Sequence, residues 1–144
     1  MLYLDASAVM KLVVEEPESA ALRELVELER SRASSEILLA EIPRAVRRRV
    51  WPDATAEAPA LVARGERELA AMYLIAVTRS ILALAGTLED PLLRALDAVH
   101  VATAVAYPAR LTAFVSYDDR QLEAADRAAP PRSRLRAAEH HRRP

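Results

Sequence analysis

Short apolar runs alternate with longer amphipathic stretches along most of the chain. The first run, Leu2–Leu4, ends abruptly at Asp5, as a buried strand would, and comparable runs recur three times further on. The predicted strands cover residues 2–4, 32–35, 73–77 and 113–116. Because helical patterns lie between them, the alternation predicts an α/β fold in which a parallel sheet has helices on both faces.

The stretches between the strands follow helical spacing. Ser7 is a suitable N-cap for the first helix, and Pro43 is expected to kink the third. The segment 98–106 is apolar on nearly every side except at His100 and Thr103, which indicates a helix buried against the sheet. The predicted helices cover residues 8–14, 17–29, 35–49, 56–70, 79–85 and 91–107, with a last amphipathic helix after residue 119.

Composition is typical of a globular protein with one domain. The chain has 144 residues, 52% hydrophobic and 28% charged, which is enough to bury a core without disulfides. The absence of cysteine excludes a disulfide framework and a thiolate zinc site. With only Gly65 and Gly86, the chain lacks the glycines of a phosphate-binding or dinucleotide-binding loop. We expect one domain over residues 1–129 and a basic, mobile tail over 130–144.

The net charge of −1 conceals an uneven distribution. Residues 127–144 hold six arginines and a single acid, whereas the rest of the chain has 14 basic and 20 acidic residues. A dominant basic surface for nucleic acid is therefore not expected, so a role with nucleic acid must rest on a specific site. Charged residues interrupt the first apolar stretch, and no apolar run approaches the length of a membrane span. We expect a cytoplasmic protein without a membrane segment.

Four acids stand apart from the other 17 because each interrupts a hydrophobic segment. Asp5 and Asp118 follow predicted strands, and ligands of parallel sheets bind beyond the carboxyl ends of strands. Asp97 and Glu41 lie among apolar neighbours, where an unpaired carboxylate is costly. Each acid also has a purely structural explanation. These are a helix cap for Asp5, a salt bridge to Arg44 for Glu41, a salt bridge to Arg94 for Asp97, and a turn for Asp118.

Clustered carboxylates without a thiol favour a hard cation with oxygen ligands, Mg²⁺ or Mn²⁺. They repel one another, so the cluster is stable only with a cation or with some acids protonated. A metal held in this way activates water and neutralises the negative charge that develops on a phosphate. The four acids therefore predict metal-dependent phosphodiester hydrolysis.

Four segments carry a more specific resemblance. They are Tyr3-Leu4-Asp5-Ala6-Ser7-Ala8, Leu39-Ala40-Glu41-Ile42, Leu96-Asp97-Ala98-Val99-His100-Val101-Ala102-Thr103-Ala104 and Val115-Ser116-Tyr117-Asp118-Asp119-Arg120-Gln121-Leu122. In this order they resemble the four motifs of PIN-domain ribonucleases, and more narrowly those of VapC-type toxins of bacterial toxin–antitoxin pairs. The similarity spans roughly residues 1–126.

The resemblance implies a three-layer α/β/α fold with a central parallel sheet. It also implies a Mg²⁺-dependent endoribonuclease that cuts structured RNA such as tRNA or rRNA, forms a dimer and is inhibited by a cognate antitoxin. Asp5, Glu41, Asp97 and Asp118 take the catalytic and metal-binding positions, and Ser7, Ser116 and Asp119 take supporting ones. One departure concerns the C-terminus. The family usually ends with a Gly-containing turn and a final edge strand, which residues 127–144 do not predict.

Three further features have two interpretations each. The basic cluster of Arg44, Arg47, Arg48 and Arg49 either contacts RNA phosphates or forms a solvated helix face. His100 is expected to be a packing histidine rather than a functional one. A set of apolar residues either forms an antitoxin groove or, as we favour for most of them, belongs to the core. These are Val14, Leu22, Leu25, Val26 and Trp51.

Other functions fit the sequence less well. A phosphotransfer hydrolase needs a second aspartate two residues after Asp5, where Ser7 stands, and Lys11 is misplaced for a receiver domain. A catalytically silent binding module, whose acids dock a partner's arginine, is the alternative from a different class. A nuclease of the same fold that acts on DNA or in RNA processing is a third. The sequence does not identify the RNA, the number of metals or the antitoxin.

Overall fold

The computed structural model describes residues 1–52 and 57–128, together with the backbone of 136–137. Its strands form one parallel sheet in the order β3-β2-β1-β4-β5. The strands are β1 (Leu2–Leu4), β2 (Arg32–Ser35), β3 (Tyr73–Ile75), β4 (Ala113–Val115) and β5 (Arg136–Ala137). The first strand in sequence therefore lies at the centre of the sheet, with Leu2 paired to Arg32 on one side and to Ala113 on the other.

Seven α-helices occur in the described residues. They are α1 (Ala6–Val13), α2 (Ser19–Glu29), α3 (Leu38–Val50), α4 (Ala58–Ala70), α5 (Arg79–Ala85), α6 (Ala95–Val105) and α7 (Asp119–Ala128). A short 3₁₀ helix, Pro108–Arg110, precedes β4. No helix in the described part of the chain is long and apolar enough to cross a membrane.

Alternation along β1 divides the core into two parts, because successive side chains of a strand point to opposite faces of the sheet. Leu2 and Leu4 pack with residues of α1, α2 and α3, including Val9, Leu22 and Ile42. Tyr3 packs on the other face with residues of α5, α6 and α7. That second cluster includes Ile81, Val101 and Ala124. The predicted three-layer α/β/α fold is therefore confirmed.

The sequence predicted the identity of the elements better than their ends. The first helix begins at Ala6 rather than residue 8 because its N-cap is Asp5, whose carboxylate accepts a hydrogen bond from the Ala8 amide. The prediction that Ser7 caps this helix is therefore wrong. Helix α3 begins at Leu38 because Ser35 still belongs to β2, and it continues through Pro43 to Val50.

The start of α6 and the C-terminal edge also differ from the predictions. Residues 91–93 form turns, so α6 begins at Ala95 instead of residue 91. An edge strand follows α7 although the tail lacks the usual glycine turn, since strand pairing is made by the backbone. This is the two-residue β5, which pairs with β4. Apart from 136–137, the tail predicted to be mobile lies outside the described residues, and the domain boundary at residue 129 stays a prediction.

The apolar residues considered for a groove fall into two groups. Leu22 is buried, and Val14, Leu25 and Val26 are half-buried against the first core cluster. Trp51 is 81% exposed. The core interpretation therefore holds for Leu22 and partly for three others, but not for the tryptophan.

Gly65 marks a close contact between α4 and α3, and it yields a stability prediction. A Cβ atom added there would lie 3.1 Å from Ile42 Cγ2. We expect Gly65→Leu to lower the free energy of unfolding by about 1–3 kcal/mol, because the whole leucine side chain must fit against the buried Ile42 and this cost exceeds the gain of less than about 1 kcal/mol from replacing a helical glycine. Urea unfolding measures this, with Ala60→Leu on the exposed side of α4 as the control, which we expect to change stability by less than about 0.5 kcal/mol. Equal stability of Gly65→Leu and wild type would contradict the close approach.

Candidate active site

Asp5 lies at the carboxyl end of the central strand and is completely buried. Its Oδ1 accepts hydrogen bonds from the Ala8 amide at 2.8 Å and from the Ser7 hydroxyl at 2.7 Å. Its Oδ2 accepts one from the Ser116 hydroxyl at 2.7 Å. The same carboxylate thus caps α1 and binds the residue that follows β4, so it connects the end of β1 to both of them.

The two serines connect Asp5 to the fourth motif. The Ser7 hydroxyl accepts a hydrogen bond from the Tyr117 amide at 2.8 Å, and the Ser116 hydroxyl accepts one from the Asp118 amide at 3.1 Å. Each serine therefore donates to Asp5 and accepts from the loop after β4. The structure therefore places both serines against Asp5, and their supporting role stays a prediction.

Burial has an electrostatic consequence for Asp5. Desolvation raises the pKa of its carboxyl above the ordinary value, and the hydrogen bonds from the Ala8 amide, Ser7 and Ser116 offset part of that rise. These three donors are neutral. A nearby cation would therefore favour the charged carboxylate far more than the existing hydrogen bonds do.

Asp118 and Asp97 share one cationic neighbour. Arg94 donates from Nε to Asp97 Oδ2 at 2.6 Å and from a terminal nitrogen to Asp118 Oδ2 at 3.4 Å. The other oxygen of Asp97 accepts from Gln121 Nε2 at 2.8 Å. The other oxygen of Asp118 accepts from the Arg120 amide at 3.0 Å, at the start of α7. Hydrogen bonding to Asp97 holds the pKa of Arg94 above its ordinary value.

Glu41 comes from the first turn of α3 and has a different kind of partner. Its Oε2 lies 2.8 Å from Nε2 of His100, which is completely buried in α6. The structural alternative for this acid, a salt bridge to Arg44, is not formed within the described residues. The structural alternatives for Asp5 and Asp97 do occur, since Asp5 caps α1 and Asp97 contacts Arg94. Asp118 is not in the expected turn; it directly precedes α7 and accepts an N-terminal amide of that helix.

The fold brings all four acids to the wall of one cleft of about 700 Å³. The same wall includes Lys11, Arg44 and Arg48, so acidic and basic side chains face a common space. Three predicted site residues do not line this cleft, and one of them is the buried Ser116. Asp119 is exposed at the first position of α7, and Arg47 is exposed on α3.

The donor chemistry of the cleft fits a hard divalent cation. All four acids provide oxygen ligands, and the guanidinium that joins Asp97 to Asp118 is direct evidence that this pair attracts positive charge. Across residues 1–52 and 57–128, however, no three acidic or histidine side chains are grouped tightly enough to enclose a metal ion. The residues therefore offer the ligand atoms that such an ion prefers, but their side chains are paired with other residues instead of grouped around one point.

Sequence reasoning missed two residues of this site. His100 was expected only to pack, and it does pack in the core, but it also contacts Glu41. Gln121 was not considered, although it is 3% exposed, lines the cleft and donates to Asp97. Spacing offered a signal, because His100 follows Asp97 by three positions on one face of α6. Gln121 follows Asp118 by three positions, in the first turn of α7.

Comparison with known proteins gives consistent results. The family model of the PIN domain matches residues 2–127. Ribonuclease VapC46 of Mycobacterium tuberculosis (strain ATCC 25618 / H37Rv) is 40% identical over 124 residues, which cover 86% of this chain and 89% of that protein. Ribonuclease VapC47 of M. tuberculosis (strain CDC 1551 / Oshkosh) is 35% identical over 126 residues, which cover 85% and 88%.

A solved structure supports the fold. The crystal structure of VapBC2 from Rickettsia felis, bound to a DNA fragment from its promoter, contains a chain that matches this one with a TM-score of 0.67 and 16% sequence identity. The match covers 95% of this chain and 98% of that chain. At this identity the likeness concerns the fold. With the family match and the two ribonucleases, it leads to one conclusion: this chain belongs to the PIN domain family.

Proposed function

We propose that this protein is a metal-dependent endoribonuclease that acts as the toxin of a toxin–antitoxin pair. The observation that carries the proposal is the cleft, where acidic residues from four separate segments line the same space as two exposed arginines. Carboxylates suit an oxygen-binding cation, and arginines suit phosphate. The similarity to proteins named as VapC ribonucleases supports RNA as the substrate.

The metal in this proposal is Mg²⁺, with Mn²⁺ as a substitute. Asp5, Asp97 and Asp118 would hold it together with Glu41. The chemistry that such an ion supplies is activation of water and neutralisation of the charge on a phosphate. Metal binding would require Arg94 to give up its contacts with Asp97 and Asp118, and a guanidinium with a 75% exposed side chain is free to turn toward solvent or RNA.

The residues of the chain have distinct tasks in this proposal. Ser7 and Ser116 fix the orientation of Asp5 by donating to both of its oxygens. Arg44 and Arg48, one helical turn apart on α3, bind phosphates of the RNA on the wall of the cleft. Arg47 lies outside the cleft lining and contacts RNA only where the RNA extends beyond the cleft. Asp119, also outside the lining, supports the neighbouring Asp118.

The proposed substrate is structured RNA, tRNA or rRNA, and the proposed partners are a cognate antitoxin and a second copy of the chain. The names of the relatives and the fold shared with VapBC2 support an antitoxin. The exposed Trp51 and the half-buried Val14 offer apolar contact area for such a partner. The proposed location is the cytoplasm, where RNA and antitoxin are available.

A catalytically silent binding module is the second candidate. The contact of Arg94 with two of the acids favours it, because it is the kind of pairing by which these acids would dock an arginine of a partner. Metal-dependent cleavage separates the two candidates.

Cleavage of total RNA tests the site acids. With Mg²⁺ or Mn²⁺ we expect discrete fragments that EDTA abolishes. Asp5→Asn and Asp97→Asn should each lower the cleavage rate by more than about 100-fold, since even outer partners of metal ligands are typically worth 10–100-fold. Asp126→Asn, the same substitution at an exposed position of α7, is the matched control and should cleave like wild type.

Each alternative result has a defined meaning. Equal cleavage by wild type and the two site variants would show that the activity is a contaminant or that the site is elsewhere. A folded, antitoxin-free wild-type protein that cuts nothing in the presence of metal would favour the binding module.

RNA binding tests the arginines of the cleft. In the Asp97→Asn background, which keeps the RNA intact, we expect Arg44→Gln/Arg48→Gln to weaken RNA binding and to reduce the slope of log K against log salt by about 2, one per lost phosphate contact. The control, Arg30→Gln/Arg67→Gln, removes the same charge from exposed positions outside the cleft. An equal loss of slope in both double variants would assign the effect to net charge rather than to the cleft.

A further inference from the structure

We propose that His100 is a positioning residue that holds Glu41 at the cleft through a hydrogen bond from Nε2, and that Tyr3 fixes the direction of this bond. The proposal rests on the proposed function, because positioning matters for a site that binds a metal. It concerns two core residues that lie behind the cleft, neither of which lines it.

The three side chains form a continuous hydrogen-bonded chain from the core to the cleft. The Tyr3 hydroxyl lies 2.9 Å from His100 Nδ1, and His100 Nε2 lies 2.8 Å from Glu41 Oε2. Tyr3 and His100 are both completely buried, whereas the Glu41 side chain is 18% exposed. The histidine therefore joins β1, α6 and α3 through both of its ring nitrogens.

Packing fixes the position of the imidazole ring. Tyr3 stacks on Phe114 with ring centroids 5.3 Å apart, and the edge of the histidine ring meets Tyr3 at 5.9 Å with an interplanar angle of 82°. These are favourable aromatic arrangements. Because neither Tyr3 nor Phe114 is exposed, the imidazole has little freedom to turn away from Glu41.

One tautomer of the neutral imidazole satisfies both of its hydrogen bonds, the one with the Tyr3 phenol and the one with Glu41. The phenol hydroxyl has a proton to donate, and its oxygen lies 2.9 Å from Nδ1 of His100. Donation to Nδ1 leaves the proton of a neutral imidazole on Nε2, facing the carboxylate. The opposite tautomer would place the lone pair of Nε2 against the negative charge of Glu41. Tyr3 therefore sets the ring so that it donates to the acid.

Glu41 depends on this bond more than the other acids depend on theirs. Asp5 accepts from two serines and a backbone amide, and Asp97 accepts from two side chains. Glu41 has a longer side chain, and within the described residues its carboxylate has one hydrogen bond, the one from His100. Ordering such a side chain costs more conformational entropy, so a single buried donor has a larger effect on its position.

Two substitutions of the histidine separate positioning from packing. The amide nitrogen of glutamine reaches the place of Nε2, whereas the amide of asparagine reaches only the place of Nδ1. His100→Gln therefore retains the donor to Glu41 and loses the contact with Tyr3, and His100→Asn does the reverse. Both variants lose the imidazole ring and its packing against Tyr3. Thermal melting of the metal-free variants measures the stability that this loss removes.

Mn²⁺ titration of the RNA-free protein by calorimetry is the main measurement. We expect His100→Asn to raise the Mn²⁺ Kd by about 10–100-fold, the usual effect of losing a residue that orients a metal ligand, and His100→Gln to stay within about threefold of wild type. In a Glu41→Ala background His100→Asn should cause no further change, because the histidine acts through that acid. Cleavage rates at saturating RNA should follow the same order.

The ring nitrogens provide a readout that needs no metal. A long-range ¹H–¹⁵N spectrum should show the Nε2–H tautomer for His100, identified as the histidine signal lost in His100→Asn, and Glu41→Ala should shift its Nε2 resonance. An Nδ1–H tautomer would overturn the proposal. So would a folded His100→Asn protein with the Mn²⁺ affinity of wild type, provided that wild type binds Mn²⁺ and cuts RNA. A wild-type protein that does neither would instead overturn the proposed function.

Discussion

The buried carboxylate of Asp5 is the constraint on which the rest of the structure depends. Asp5 follows the central strand, caps α1 and accepts a hydrogen bond from the hydroxyl of Ser116, the residue after β4. One carboxylate therefore joins β1, α1 and the end of β4. A completely buried carboxylate is destabilising unless hydrogen bonds or a cation compensate for its lost hydration. The fold supplies the hydrogen bonds from neutral donors, and the pKa of Asp5 remains raised. The position is therefore one where the protein tolerates an electrostatic cost that a cation would relieve.

The four acids reach the same cleft by different local means. Asp5 and Asp118 each use one oxygen to accept a helix N-terminal amide, where the partial positive charge of the helix favours a carboxylate. Asp97 is held by Gln121 and Arg94, and Glu41 by His100. Structural roles and candidate site roles thus coincide in the same side chains. The usual contrast between a capping residue and a functional residue does not apply here, because capping leaves the second oxygen of each aspartate for another partner.

A polyanion such as RNA would find positive side chains in the cleft, although the net charge of the chain is slightly negative. Positive side chains line the cleft beside the acids, although residues 1–126 are acidic as a whole. Arg94 has a special place among them because it already contacts two acids while remaining largely exposed. Only the arginine side of the pair with Asp97 is exposed, because the Arg94 side chain is 75% exposed and that of Asp97 is 11% exposed. Loss of the arginine would therefore leave a largely buried carboxylate that needs another cation. The metal proposed for this cleft would be such a cation.

The sequence by itself determined the order of strands and helices, the α/β class and the identity of the four acids. These follow from local periodicity and from motifs whose residues are close together in the chain. Only the tertiary structure decided how the acids are held. The contacts of Glu41 with His100, of His100 with Tyr3 and of Ser116 with Asp5 join residues 59, 97 and 111 positions apart. It also decided that Asp5 rather than Ser7 caps α1, and that Asp119 lies outside the cleft. Side-chain direction at the end of a strand depends on how the neighbouring strands and helices pack, and no local pattern contains that information.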